Sequence, residues 1–118
     1  MICTPPPPDW YPRRGDVFFL QLDKMRPAVV ISTDTVNRHL REICILPLST
    51  SATNAFFLFR PKLAAGEIKE ERQSWVKCDH PQTHWRLDAT YPPLATLSAK
   101  SMHMIDATLM DYLGLQRP

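Results

Sequence analysis

The sequence predicts a mainly β domain closed by one C-terminal helix, built on a small, strongly bent antiparallel sheet or partly open barrel. Three observations carry this expectation. Short runs rich in Val, Ile, Phe and Leu recur along the chain, prolines stand at or near the ends of several of them, and the apolar period turns helical only after Ser98.

The first run, Asp16 to Leu22, holds Val-Phe-Phe-Leu-Gln-Leu and reads as a strand; Pro27 to Ser32 reads as the second. Between them Asp23-Lys24-Met25-Arg26 leaves room only for a tight hairpin connection. Asp34 is placed to cap a single helical turn through His39, and Ile43 to Leu48 forms a third strand whose Pro47 marks an end or an edge. Asn54 to Arg60 reads as the fourth strand and Ser74 to His80 as the fifth, with a polar connection, Lys62 to Arg72, between them. Weaker strand signals lie at His84 to Asp88 and Leu94 to Thr96. Met102, Ile105, Leu109, Tyr112 and Leu113 then fall on one helical face, with Ser98 as the N-cap and Gly114 as the C-terminal stop.

Several strands are apolar on both faces, notably Ala28 to Ile31 and Ile43 to Leu46. A single sheet layer cannot hide both, so the helix, the curl of the sheet or a second subunit must cover the other side. One helix is little cover for such strands, which favours a homodimer over a monomer. Pro5 to Pro8, with Pro12, sets residues 1–12 as an extended lead-in held off the domain, and residues 13–118 form the single folded unit.

The chain has 118 residues and a net charge of +2, and cutting it after Phe59 leaves +1 (6 minus 5) and +1 (8 minus 7). A bulk polycationic field is therefore excluded, and any nucleic-acid contact must come from local convergence of cations. Cys3, Cys44 and Cys78 are odd in number and far apart, without C-x-x-C spacing, which fits reduced thiols in a cytoplasmic protein. The opening residues have no signal-peptide pattern, and no apolar run approaches the ~20 residues of a membrane span. Glycine-rich phosphate loops, H-E-x-x-H and nucleophile elbows are missing from the sequence, so neither a metal nor another cofactor is expected.

Strand five carries the clearest chemical signal. A period of two puts Trp75, Lys77 and Asp79 on one face and Val76, Cys78 and His80 on the other, with Pro81 able to reorient His80. An aromatic ring beside a cation and a carboxylate suits single-stranded nucleic acid, the ring stacking a base and the cation meeting a phosphate. Taken alone, the strand reads rather as an ordinary one bearing a solvated i, i+2 charge pair. Arg26 precedes strand two and Ser49-Thr50-Ser51 follows strand three, at strand ends where a scaffold presents functional side chains.

Arg14-Gly15-Asp16-Val17, Arg26-Pro27-Ala28-Val29-Val30 with Asn37-Arg38, Leu46-Pro47-Leu48-Ser49-Thr50, Trp75 to Thr83, and Leu97-Ser98 with Leu113-Gly114-Leu115 occur in order along nearly the whole domain. The ordered set resembles the MazF/PemK (Kid) toxins of type II toxin–antitoxin systems. The resemblance implies an SH3-like small barrel of the MazF/PemK/CcdB type, a homodimer, a cognate antitoxin, and a metal-independent endoribonuclease selective for short motifs in single-stranded RNA. It implies catalytic roles for Arg26, Ser49, Thr50, Lys77 and Asp79, and RNA contacts from Trp75, Pro81 and Thr83. In the implied chemistry Asp79 is the base, Arg26 and Lys77 neutralise the phosphorane, and Ser49 and Thr50 donate hydrogen bonds to it. His80, a further catalytic candidate, is either the proton donor or a packing residue. The products are a 2′,3′-cyclic phosphate and a 5′-hydroxyl.

Four positions depart from the family pattern. Gln21 to Arg26 leaves no room for the usual longer loop over the site, Lys77 stands where one branch has arginine, Ser49 replaces the common threonine, and His80 replaces a frequent glutamine. The alternatives on the same barrel are a non-catalytic inhibitor of a protein target, as in related gyrase poisons, and a nucleic-acid-binding module with decayed catalysis.

Overall fold

The computed structural model describes residues 5–50, 57–68 and 73–115. Strands β1 (Asp16–Gln21), β2 (Met25–Val30) and β3 (Glu42–Ser49) are the body of one curled antiparallel sheet. The hairpin register of β1 on β2 runs from Val17 opposite Val29 to Gln21 opposite Met25, so the expected tight connection is three residues, Leu22 to Lys24. Helix α1 (Asp34–His39) joins β2 to β3, with Thr33 rather than Asp34 at its N-cap. Short strands β4 (Trp75–Val76) and β5 (Gln82–Trp85) share one edge of β3, and β6 (Ala95–Thr96) closes on β1. Helix α2 (Ala99–Leu113) ends the domain; Ser98 accepts from the Ser101 amide at its start, and Gly114 at φ 73° stops it. The result is a mainly β half-barrel with a C-terminal helix, as the sequence predicts.

Both faces of the sheet are buried. One face packs Val17, Val29, Leu46, Leu48, Val76 and Cys78 against Met102 and Ile105 of α2. The other gathers Phe18, Leu20, Ala28, Val30, Ile43 and Ile45 beneath Ala89 and Trp10. Trp10 meets Phe18 and Tyr91 edge-on with ring centroids 6.1 and 5.5 Å apart, and Pro12 is fully buried. This corrects the expected lead-in: its second half is a lid on the sheet, because an exposed indole gains more by covering Phe18 than by staying in water.

Other elements also differ from expectation. Pro47 lies inside β3, opposite Ala28, and not at its end. Its carbonyl accepts from the Lys77 amide at 2.9 Å, so its nitrogen faces the same edge, between the β5 and β4 pairings, where no ladder donor is needed. The fourth predicted strand is not seen: Phe57–Phe59 is a 3₁₀ turn, and Asn54 to Phe56 lie outside the described residues. In the polar connection Lys62 to Arg72, the last four residues also lie outside them. The fifth strand stops at Val76, after which the chain turns; the Cys78 amide bonds Phe59 O at 3.1 Å and the His80 amide bonds Lys77 O at 3.0 Å.

Much of the quoted sequence pattern is structural. Asp16 is buried and accepts from Thr96 Oγ1 at 2.8 Å and from the Arg13 amide at 3.0 Å. Arg14 reaches Ile31 O and ion-pairs with Asp106 of α2. Gly15 turns into β1 at φ 97°, a conformation that side chains rarely adopt. Asn37 is fully buried and bonds Ser32 O and Ser32 Oγ, and Ser32 Oγ accepts from the Cys44 amide, tying α1 to the segment after β2 and to β3. No helix among the described residues is long and apolar enough to cross a membrane.

Candidate active site

The β1–β2 hairpin, the end of β3 and the turn after β4 meet at one end of the sheet. Arg26, the second residue of β2, reaches back to Asp23 on the hairpin loop, Nε to Oδ1 at 2.8 Å and Nη2 to Oδ2 at 3.0 Å. Those bonds bring the Asp23 carboxyl down to about 2 and raise the Arg26 guanidinium. Thr50, just past β3, lines a cleft of about 220 Å³ together with Arg26. Ser49, the last residue of β3, is half-buried and lies opposite Trp75 of β4.

Lys77 begins the turn. Burial pushes its ammonium pKa down, and the positive charges of Arg60 and Arg26 push it further, so the three cations share one field. Asp79 accepts both hydrogen bonds of a bidentate pair from Arg60, Nε to Oδ1 and Nη2 to Oδ2, each at 2.9 Å. The two side chains are 11% and 14% exposed. Burial is the largest single influence on the Asp79 carboxyl and raises it, but the Arg60 bonds, a backbone hydrogen bond and the neighbouring positive charge together bring the net direction down. His80 is exposed, not buried with Cys78, and its Nε2 lies 3.6 Å from Asp79 Oδ2. The alternation expected from Trp75 holds in burial through Asp79, and the turn before Pro81 carries His80 to the solvent side beside Asp79.

The structure therefore brings Arg26, Lys77, Asp79 and His80 to one end of the sheet, with Ser49 and Thr50 at the adjoining strand end. Trp75 is half-buried, and Lys62 Nζ lies 5.6 Å from its ring centroid. Pro81 is exposed at the end of the turn. Thr83 is not part of this group: it lies opposite Cys44, and the five residues from there to Ser49 span roughly 16 Å of strand. Arg60 was missed by sequence reasoning. It is 19 residues from Asp79 and follows an aromatic run, so no spacing rule links the two. Among the described residues no three His, Cys, Asp or Glu side chains are grouped to hold a metal ion.

An anion entering this end of the sheet would meet two cations, Arg26 and Lys77, and the hydroxyl of Thr50. Arg26 offers the planar fork suited to phosphate, whereas Lys77 acts as a point charge.

The family described as the PemK-like, MazF-like toxin of type II toxin–antitoxin systems matches residues 13–113. Solved structures share the fold. An endoribonuclease from Mycobacterial species is 21% identical with a TM-score of 0.77, covering 91% of this chain and 95% of that one. Mycobacterium tuberculosis toxin MazF-mt6 is 20% identical with a TM-score of 0.74, over 86% of this chain and 99% of that one. A MazE–MazF complex from Deinococcus radiodurans gives 21% identity and a TM-score of 0.74, over 91% and 99%. No curated protein matches the chain in sequence. From Arg13 to Leu113, in sequence pattern and in fold, the chain belongs to the PemK-like, MazF-like toxins of type II toxin–antitoxin systems.

Proposed function

We propose that the chain is the toxin of a toxin–antitoxin pair and cuts single-stranded RNA in the cytoplasm as a metal-independent, motif-selective endoribonuclease. The observation that carries this reading is the convergence of Arg26, Lys77, Asp79 and His80 beside the hydroxyl-bearing end of β3. Cleavage needs the 2′-hydroxyl to lose a proton as it attacks phosphorus, the 5′-oxygen to gain one, and the dianionic phosphorane to be neutralised. Arg26 leaves the solvent-exposed Asp23 to grip the phosphate, Lys77 adds the second positive charge, and Ser49 and Thr50 donate to phosphorane oxygens.

Asp79 has both oxygens engaged by Arg60, and a carboxylate held ionised in this way is a weak base. The arrangement therefore favours His80 as the group that moves the proton, with Asp79 fixed beside its ring. Trp75 and Pro81 are the RNA contacts nearest these groups; Thr83 contacts RNA only if the strand extends along β5. The products are a 2′,3′-cyclic phosphate and a 5′-hydroxyl.

A homodimer is supported by apolar side chains left exposed near the end of α2, Tyr112, Leu113 and Leu115, with Leu58 exposed on the segment whose Phe59 touches Tyr112. The solved relatives include an endoribonuclease in complex with its cognate antitoxin, and an antitoxin is the protein partner proposed here.

The test is incubation of purified protein with single-stranded RNA in EDTA, followed by chemical mapping of the ends. Cyclic-phosphate and 5′-hydroxyl ends are expected, and their loss in Arg26→Ala and His80→Ala. The Arg60 clamp on Asp79 favours one competing reading, an RNA-binding module without cleavage. Binding without product at every protein concentration would establish that reading instead.

A further inference from the structure

We propose that the cleft beside Arg26 is a subsite for one keto-bearing nucleobase, uracil or guanine, of the bound RNA; this rests on the endoribonuclease reading and adds to it a source of base selectivity. The cleft lies between the β1–β2 hairpin and the segments carrying Ile68, Ser74 and Leu94, with a volume of about 220 Å³. That is below the ~300 Å³ at which pockets begin to take drug-sized molecules, so it suits one small planar ring. Its position follows from the site already described: Arg26 and Thr50 form part of its wall, so a base next to the phosphate they hold has this cleft as its nearest recess.

The walls have the chemistry of a base-binding site. On β1, Val17 joins the core under α2, but Phe19, two residues on along the same face, projects past that core and is 45% exposed. Met25, across the cleft mouth on β2, is 56% exposed. An exposed ring and thioether at a cation-lined site suit the face of a base. Ile68 is kept in place because its neighbour Glu67 accepts from the Ser98 amide at 3.1 Å and from the hydroxyls of Ser98 and Ser101.

Three polar side chains in the wall, Lys24, Thr50 and Ser74, have no side-chain hydrogen bond among the described residues. The lysine decides the class of base. Its ammonium only donates, so it calls for an acceptor, and the exocyclic position of the ring is where the four bases differ in offering one. Uracil presents one at position 4 and guanine at position 6, where cytosine and adenine present an amino group that would set donor against donor. The Ser74 hydroxyl donates or accepts and fits the adjoining ring nitrogen or second carbonyl in either case, while that of Thr50 stays with the phosphate.

The test begins with wild-type protein, a randomised single-stranded RNA library and sequencing of the 5′-hydroxyl ends. Uracil or guanine is expected to dominate one position flanking the cut, with Lys24→Met flattening that preference and leaving the other positions unchanged. Phe19→Ala should lower kcat/KM by roughly tenfold or more, the size of one lost base stack. Phe19→Leu, which keeps the bulk, should lose nearly as much, and Phe19→Tyr should restore the rate. A cut with no keto preference, or the same preference in Lys24→Met, overturns the subsite while leaving the endoribonuclease reading intact. If no RNA is cut that reading fails, and the subsite is judged by binding of 2′-deoxy oligonucleotides that differ in one central base. Tighter binding of the uracil than the adenine series, lost in Lys24→Met, supports the subsite; equal affinities overturn it.

Discussion

Two arginine–aspartate pairs have the same bidentate form in two different surroundings. Arg26 holds Asp23 at 2.8 and 3.0 Å, and Arg60 holds Asp79 at 2.9 Å through both nitrogens. Asp23 is 67% exposed on a hairpin loop, whereas Arg60 and Asp79 are nearly withdrawn from water. Water and salt compete for the first pair, so an incoming phosphate can take Arg26 from Asp23 at little cost. The second pair has lost most of its hydration, and separating its members would leave an uncompensated charge. One form of contact is thus a reversible hold on the cation of the proposed phosphate site in one place and a fixed strut under the turn after β4 in the other.

The largest effect is expected from breaking the strut. Arg60→Met should destabilise the fold by about 3 kcal/mol, the low end of the range for opening a buried ion pair, read as a lower denaturant midpoint. Asp79→Asn in the same background should recover part of the loss, because the stranded charge is removed. Next, Arg26→Ala should cut the cleavage rate by roughly a hundredfold, as for a lost donor to a developing oxyanion, while the denaturant midpoint stays near wild type. A mutant that kept its rate would remove Arg26 from the site.

The third prediction concerns acid. The folded-state pKa of Asp79 lies below its unfolded value of about 4, so its pair with Arg60 contributes fully above that value, and the contribution is lost as pH falls further. Stability measured from pH 6 downward should fall below about pH 4, and less steeply in Asp79→Asn. An identical slope in both proteins would mean that the strut is not a fixed pair. The smallest effect belongs to Asp23→Ala. The variant should melt with wild type and bind RNA a few-fold more tightly, with the difference shrinking as salt rises. Weaker binding would show that Asp23 holds Arg26 in its productive orientation and does not compete for it.

Legibility in the sequence divides along the same line. The caps of α2 were readable because Ser98 and Gly114 act on their own backbone within a turn. The first three strands were readable because a buried face imposes its period on contiguous residues. Among site residues, Arg26, Ser49 and Thr50 were visible as strand-end groups. Asp79 was visible too, but its surroundings were not. Trp75 to His80 alternates like a strand, yet Cys78 bonds Phe59, Asp79 is held by Arg60, and the chain turns at Lys77. The lead-in shows the same limit, since proline content implies extension but not whether Trp10 finds Phe18.

By itself the sequence determined the class of fold, the helix and its ends, and the residue types available at the strand ends, because period, caps and turns are set by neighbours in the chain. Only the tertiary structure decided which aspartate is locked and which arginine can be released, where His80 points, and that Phe19, Lys24 and Ser74 share a cleft with Arg26. Those outcomes depend on how far water reaches each group and on contacts between residues distant in sequence, and neither is encoded in spacing along the chain.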